Sequence, residues 1–251
     1  MTATVNTTLL NRLAVGSEKT KFLVLREDSR CRSKRLFRSF LHKSACNPAT
    51  RTFLILLQTD QADYDLVPKL TVHPMFNDSF KDRTSLKQKL YEFGDSCDRE
   101  KSNTVFIDSL NCLFLQHDVC EMFTLLTFLC QACDKVMTSV FDAALNNKQR
   151  VLVKRLATTH VTLSPAGLTD HLAVDIIHKR KHRTLGYKVE SRSEMVQFVG
   201  DDFEVKKMGN KKAATPAVGQ NDADLTQLTF NLDLSEEEKL AKDKVQLPYV
   251  K

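Results

Sequence analysis

Apolar and polar positions divide the chain into two regimes. In the first, short apolar runs alternate with amphipathic stretches. Phe22-Leu23-Val24-Leu25 is apolar throughout and flanked by charge, which predicts a strand buried on both faces of a sheet. From Cys31 to Lys43, Leu36, Phe37, Phe40 and Leu41 share one helical face, while Arg35, Arg38 and His42 sit on the other and Arg32 and Lys43 flank them. That spacing predicts an amphipathic helix packed on the sheet. Phe53 to Leu57 and Val105 to Asp108 repeat the buried-strand pattern, the second ending in a carboxylate. Val119 to Cys130 is apolar almost all round and reads as an interior helix; Lys135 to Leu145 reads as a strand and Gln149 to Thr158 as a helix. Strands separated by helices at this spacing predict an α/β body with a mostly parallel sheet and right-handed crossovers.

The second regime begins near residue 160. Val161 to Leu163, Ala173 to His178, Tyr187 to Glu190 and Met195 to Val199 are short, rich in β-formers and joined by polar turns, so they predict antiparallel strands finishing one edge of the sheet. Beyond Phe203, Lys206 to Asp224 holds Lys-Lys twice, Gly209, Pro216 and Gly219, the composition of a flexible linker. Leu228, Phe230, Leu232 and Leu234 then alternate with Thr229, Asn231 and Asp233, giving a strand with one apolar face. Ser235-Glu236-Glu237-Glu238 has the form of a capping box, with three early acids suited to the helix dipole. That helix can run only to about Lys244 before Val245-Gln246-Leu247-Pro248-Tyr249 ends it, and so short a helix is marginal alone. The organisation is a body over 1–203, a linker over 204–225 and a strand-helix docking tail over 226–251. The tail needs a surface in this chain or in another subunit.

Composition narrows the chemistry. The seven glycines, at 16, 94, 167, 186, 200, 209 and 219, nowhere form a GxxxxGK[ST] or GxGxxG loop, so phosphate cradles of either kind are excluded. At 251 residues the chain can bury roughly 70–75% of its unfolded surface and needs no staple to be stable. Met1 to Leu10 lacks the basic and apolar regions of a signal peptide, and no apolar run approaches the ~18 residues of a membrane span, so we expect a soluble, unsecreted protein with no membrane partner. Seven scattered cysteines fit reduced thiols of the cytosol or nucleus better than a disulfide framework. The net charge of +6 permits an anionic partner without requiring one.

Three constellations are candidates for chemistry. An apolar strand ending in Asp108 sits where P-loop ATPases hold magnesium, but the stretch after the first strand, Arg26 to Lys34, has no glycine and carries Glu27 and Asp28, which repel phosphate. Asp108 therefore reads as a strand-end cap. Cys130 and Cys133 form one C-x-x-C with no second pair, and His178 and His182 lie in a basic string that opposes a dication, so these read as buried thiols and solvated histidines. No catalytic residue, cofactor or metal is expected. The basic features, Arg30 to Lys43 and Lys179 to Arg183, are either solvated faces or contacts to a phosphate backbone, the candidates being Arg32, Arg35, Arg38, Lys179, Arg180, Lys181 and Arg183.

The tail string from Leu228 to Lys239, closing with Leu247-Pro248-Tyr249, resembles the C-terminal signature of the Elongator complex protein 5 family. The resemblance implies a RecA-like fold without a functional ATP site. It also implies assembly with two sister RecA-like subunits into a hetero-hexameric ring that binds tRNA and serves the Elongator core in modifying wobble uridine, in cytoplasm and nucleus. In such a ring Leu228, Phe230, Leu232, Leu234, Leu247, Pro248 and Tyr249 are the expected subunit contacts. Two other classes stay open on residues alone. One is a stand-alone thiol or zinc enzyme using Cys130 and Cys133, marked by stoichiometric zinc; the other is an independent RNA-binding module, marked by tight binding without partners.

Overall fold

The computed structural model describes residues 8–207, apart from 60, 65–66, 76–82, 98–101, 168–170, 183–185 and 201. The linker beyond 207 and the whole tail lie outside the described residues. Nine described strands form one sheet in the order β3-β2-β4-β5-β1-β6-β7-β8-β9. The parallel part comprises β1 (Phe22–Glu27), β2 (Thr50–Leu56), β3 (Leu70–Pro74), β4 (Ser102–Ile107), β5 (Lys135–Phe141) and β6 (Thr159–Pro165). From β6 onward the pairing is antiparallel, through β7 (His171–His182), β8 (Gly186–Val199) and β9 (Asp202–Lys207). The predicted architecture, a parallel sheet finished by antiparallel strands at one edge, is the one observed.

Each face of the parallel sheet carries its own helical layer. Leu23, Leu25, Leu54, Phe106 and Met137 point to the side of α1 (Leu9–Ala14) and α2 (Lys34–Ala45), where Phe37 and Phe40 are buried. Phe22, Val24, Ile55, Val105 and Val136 point to the other side, against α3 (Arg83–Ser96), α4 (Leu110–Gln116), α5 (Val119–Ala132) and α6 (Asn147–Leu156). This two-sided burial is why β1, β2 and β4 read as unbroken apolar runs. On α3, a Cβ added at Gly94 would stand 2.3 Å from the Phe128 ring of α5, so glycine there permits the close approach of the two helices. No helix among the described residues is long and apolar enough to cross a membrane.

Several boundaries differ from the expected ones for local reasons. The strand from Lys135 stops at Phe141, where Asp142–Ala144 turns as a 3-10 helix. The following helix starts at Asn147 because Asn146 and Gln149 form a reciprocal capping box, and it ends at Leu156 because the Thr158 N–H is taken by the Phe22 carbonyl of the sheet. Cys31 is not helical: it closes a bridge with Asp28, and α2 begins at Lys34. The stretches Tyr187 to Glu190 and Met195 to Val199 are parts of one strand, β8. The helix expected in the interior, α5, instead lies on the surface of its layer: Met122, Leu125, Leu126 and Leu129 are buried, but Cys120, Phe123 and Thr124 are exposed.

Five elements had no counterpart in the hydrophobic pattern: α1, β3, α3, α4 and β9, the last continuing the body to Lys207, past the expected limit at 203. α1 is short for a stable helix and is held by remote partners. The buried Glu194 carboxylate of β8 accepts from the N–H groups of Leu9 at 2.8 Å and Leu10 at 3.0 Å, and Lys135 Nζ donates to the Leu13 carbonyl at 2.8 Å. Replacing Glu194 by Gln keeps one acceptor and loses the charge, so we expect about 1 kcal/mol of destabilisation, read as a shifted urea midpoint with an unchanged slope. A slope change instead would mean that α1 unfolds separately.

Candidate functional site

A parallel α/β sheet presents a binding crevice beyond the carboxyl ends of its strands, where the strand order reverses. Here β1 leads through α2 towards β2 on one side, and β5 leads through α6 to β6 on the other. The crevice falls beside β1 and contains a cleft of about 460 Å³ lined by Glu27, Ser33, Lys34, Tyr64, Asp108 and Phe141, among others.

The loop from β1 to α2, which lends Glu27, Arg32, Ser33 and Lys34 to the cleft's lining, is tied up by its own bonds. Asp28 Oδ1 accepts the N–H groups of Arg30 and Cys31, both at 2.8 Å, and the Asp28 and Cys31 backbones bond each other in both directions. These amides are the donors a phosphate cradle would have to free. The Arg30 N–H and guanidinium hold the Asp28 carboxyl below its ordinary range. Glu27 accepts from the Ser33 hydroxyl and pairs with Arg32 at 3.5 Å. The first turn of α2 holds no acid, but the Asp28 and Glu27 carboxylates before it are already paired with the loop's own amides, hydroxyl and arginines, which leaves no free donor set for an anion.

Asp108, immediately after β4, is equally committed. Oδ1 accepts from the Leu57 N–H at 2.8 Å; Oδ2 accepts from the N–H groups of Gln58 at 2.9 Å and Thr59 at 2.8 Å and from the Thr59 hydroxyl at 2.9 Å. Its backbone carbonyl takes the Ser139 hydroxyl at 2.6 Å. The carboxylate staples the chain leaving β2 to the end of β4, which is the strand-end role the sequence assigned to it. Sequence could not supply its partners, which lie about fifty positions away.

The thiols are placed for packing. Cys130 is on α5 and Cys133 is its C-cap, but the sulfur facing Cys133 is that of Cys97, at 3.6 Å. Burial pushes the Cys130 thiol up to about 11 and the Cys133 thiol higher still, so both hold their protons and are poor nucleophiles. His178, expected to be solvated, is instead fully buried, with Nδ1 2.8 Å from the Thr159 hydroxyl and Nε2 3.3 Å from Glu18. No group of three or more His, Cys, Asp or Glu residues suited to a metal occurs among the described residues.

The basic candidates do not converge. Arg32 and Arg35 stand at the carboxyl end of β1, whereas Lys179 to His182 extend β7 past the amino ends of β1 and β6, at the opposite end of the sheet. Arg32 lies over the Phe141 ring at 4.8 Å and Arg35 over Phe198 at 4.4 Å. Arg38 is half-buried on α2. Arg180 is bidentate to Glu18, at 3.1 and 2.6 Å. Lys181 is placed within β7, and Arg183 lies outside the described residues. What the runs concealed is a second basic surface on α6, whose Lys148, Arg150, Lys154 and Arg155 are all exposed. A helical-wheel count of that segment carries the signal: four cations and no acid.

The comparisons with known proteins agree with this geometry. The flagellar accessory protein FlaH of Methanocaldococcus jannaschii is similar in structure, at 15% identity and a TM-score of 0.51, covering 71% of this chain and 94% of that one. An uncharacterized protein of Pyrococcus horikoshii, solved in complex with an unknown peptide, is similar at 9% identity and a TM-score of 0.54, covering 79% and 96%. The fold is RecA-like. No curated protein matches the chain in sequence. One family model, described as Elongator subunit Iki1, matches residues 9–212 and 173–251.

Proposed function

The chain belongs to the Elongator subunit Iki1 family, and on that premise we propose that it is a non-catalytic structural subunit of an Elongator complex. In this reading it joins two sister RecA-like subunits in a hetero-hexameric ring, which binds tRNA and supports modification of the wobble uridine by the Elongator core, in cytoplasm and nucleus. The family match, which takes in the tail as well as the body, is the observation that carries the reading. Its non-catalytic part is supported by the cleft: the Asp28 carboxylate occupies the loop amides and the Asp108 carboxylate is saturated by protein donors. Affinity purification with mass spectrometry tests it, since recovery without the sister subunits and the core would overturn it. Unchanged wobble-uridine modification after depletion would do the same.

In this assembly the tail acts as a clasp on a neighbouring subunit through Leu228, Phe230, Leu232 and Leu234, with Leu247, Pro248 and Tyr249 closing it. Burying each large apolar side chain contributes roughly 1.5–3 kcal/mol, so Phe230→Asp should lower recovery of partner subunits at least tenfold while leaving the body's melting unchanged. Normal recovery with 226–251 deleted would remove the clasp from the reading.

A further inference from the structure

The basic runs conspicuous in the sequence are partly spent on internal partners, Arg32 on Glu27 and Arg180 on Glu18. The cations of α6 are different. Its sequence, Asn147 to Leu156, holds Lys148, Arg150, Lys154 and Arg155 and no acid, and its capping box is built from the amides Asn146 and Gln149 in place of the acids usual there. Arg150 donates to the Asp142 carbonyl, at 3.0 and 3.3 Å, which orients the guanidinium without neutralising it; the Asp142 carboxylate is taken by Arg26 at 2.7 Å. Arg155 lies 5.9 Å from the Phe123 ring centroid. Among the described residues no carboxylate is within ion-pair distance of Lys148, Lys154 or Arg155.

The patch extends onto the sheet. Lys179 of β7 donates its ammonium to the carbonyls of Lys154 at 2.8 Å and Ala157 at 3.1 Å, fixing a further cation at the helix's C-terminal end. Burial first, and then the charge of Lys154, hold Lys179 below its ordinary range. Lys148 and Arg155, seven positions apart, share a row about 10 Å long on one edge of the exposed face, and Arg150 and Lys154, four apart, line its other edge with the exposed Val151 between them.

We propose that the exposed face of α6, with Lys179 at its end, binds the phosphodiester backbone of RNA. This rests on the reading of the chain as a subunit of a tRNA-handling complex and assigns the surface. Lysine is depleted in protein–protein interfaces, and the exposed face of α6 offers no tyrosine or tryptophan as an anchor, so the charges favour a polyanion over an acidic protein. With no aromatic residue on the helix to stack bases, contact is to the backbone and only weakly dependent on sequence.

The test uses the full chain in its purified complex, with the double substitution Lys148→Glu and Lys154→Glu and, as a charge-keeping control, Lys148→Arg with Lys154→Arg. Binding of a tRNA transcript is followed by anisotropy over roughly 50–200 mM salt. We expect at least tenfold weaker binding for the double Glu variant and a slope of log K against log salt shallower by about 1–2, with the Arg control unchanged. Unchanged affinity and slope would overturn the site, as would unchanged RNA binding with loss of partner subunits, which would make the face a protein interface. A parent complex that binds no tRNA would overturn the tRNA-handling reading itself, an outcome distinct from failure of the substitution alone.

Discussion

Asp108→Ala is expected to cost about 3 kcal/mol or more of stability, because it strips the acceptor from three backbone N–H groups and a hydroxyl at once, and each buried unpaired donor costs roughly 1–3 kcal/mol. Asp108→Asn keeps one oxygen but turns an NH2 toward donors that need an acceptor, so it should fall between Ala and the parent. The order matters more than the size. Carboxylates kept for a metal are repaid only when the ion binds, and their neutralisation is close to neutral or stabilising in the apo protein. Urea unfolding of the three proteins without added metal separates the cases. An Asn variant as stable as the parent would return Asp108 to the list of ligand candidates and remove the staple.

The same carboxylate shows where sequence is and is not informative. Its place at the end of an apolar strand was legible, and so was its lack of a glycine-loop partner, since both are local properties. Its bonds to Leu57, Gln58 and Thr59 join two parallel strands through a crossover and leave no local trace. α1 was missed for a related reason. Leu9, Leu10 and Leu13 sit in an otherwise polar stretch, and the helix depends on Glu194, 185 positions away from Leu9. β9 was read as linker because an edge strand alternates charge with apolar residues, and Phe203 and Val205 alone give too short a pattern. The α6 cations were hidden by their amphipathic spacing, whereas contiguous basic runs drew attention although Glu18, 162 positions from Arg180, pairs with the second of them. The family was the most legible feature, because the tail carries a contiguous signature that needs no fold to be read, although the family match also takes in the body.

Acidification from pH 6.5 to 4 should remove about 3 kcal/mol of stability through His160 alone. The imidazole is buried on β6, and burial first, then the charges of Lys179 and Arg26, lower its pKa to about 4 from the ordinary 6.5. Above pH 6.5 the ring is neutral in both folded and unfolded chains, and the full stability is present. Below 6.5 the unfolded chain takes a proton that the folded chain refuses until about pH 4, so the unfolded state binds more protons and stability falls with pH; the difference of about 2.5 pH units amounts to about 3 kcal/mol. Burial also pulls His178 down, which adds to the loss in the same direction. The carboxylates held low by lysine or arginine partners, Glu190 and Asp202, lose their contribution only below their ordinary values of 4.5 and 3.8, so the window above pH 4.5 belongs to the histidines. His160→Gln should flatten the denaturation midpoint across that window relative to the parent, whatever its effect at neutral pH. A parent slope retained in full by the Gln variant would mean that His160 titrates alike in both states, and that the cations of Lys179 and Arg26 are screened where the fold places them beside it.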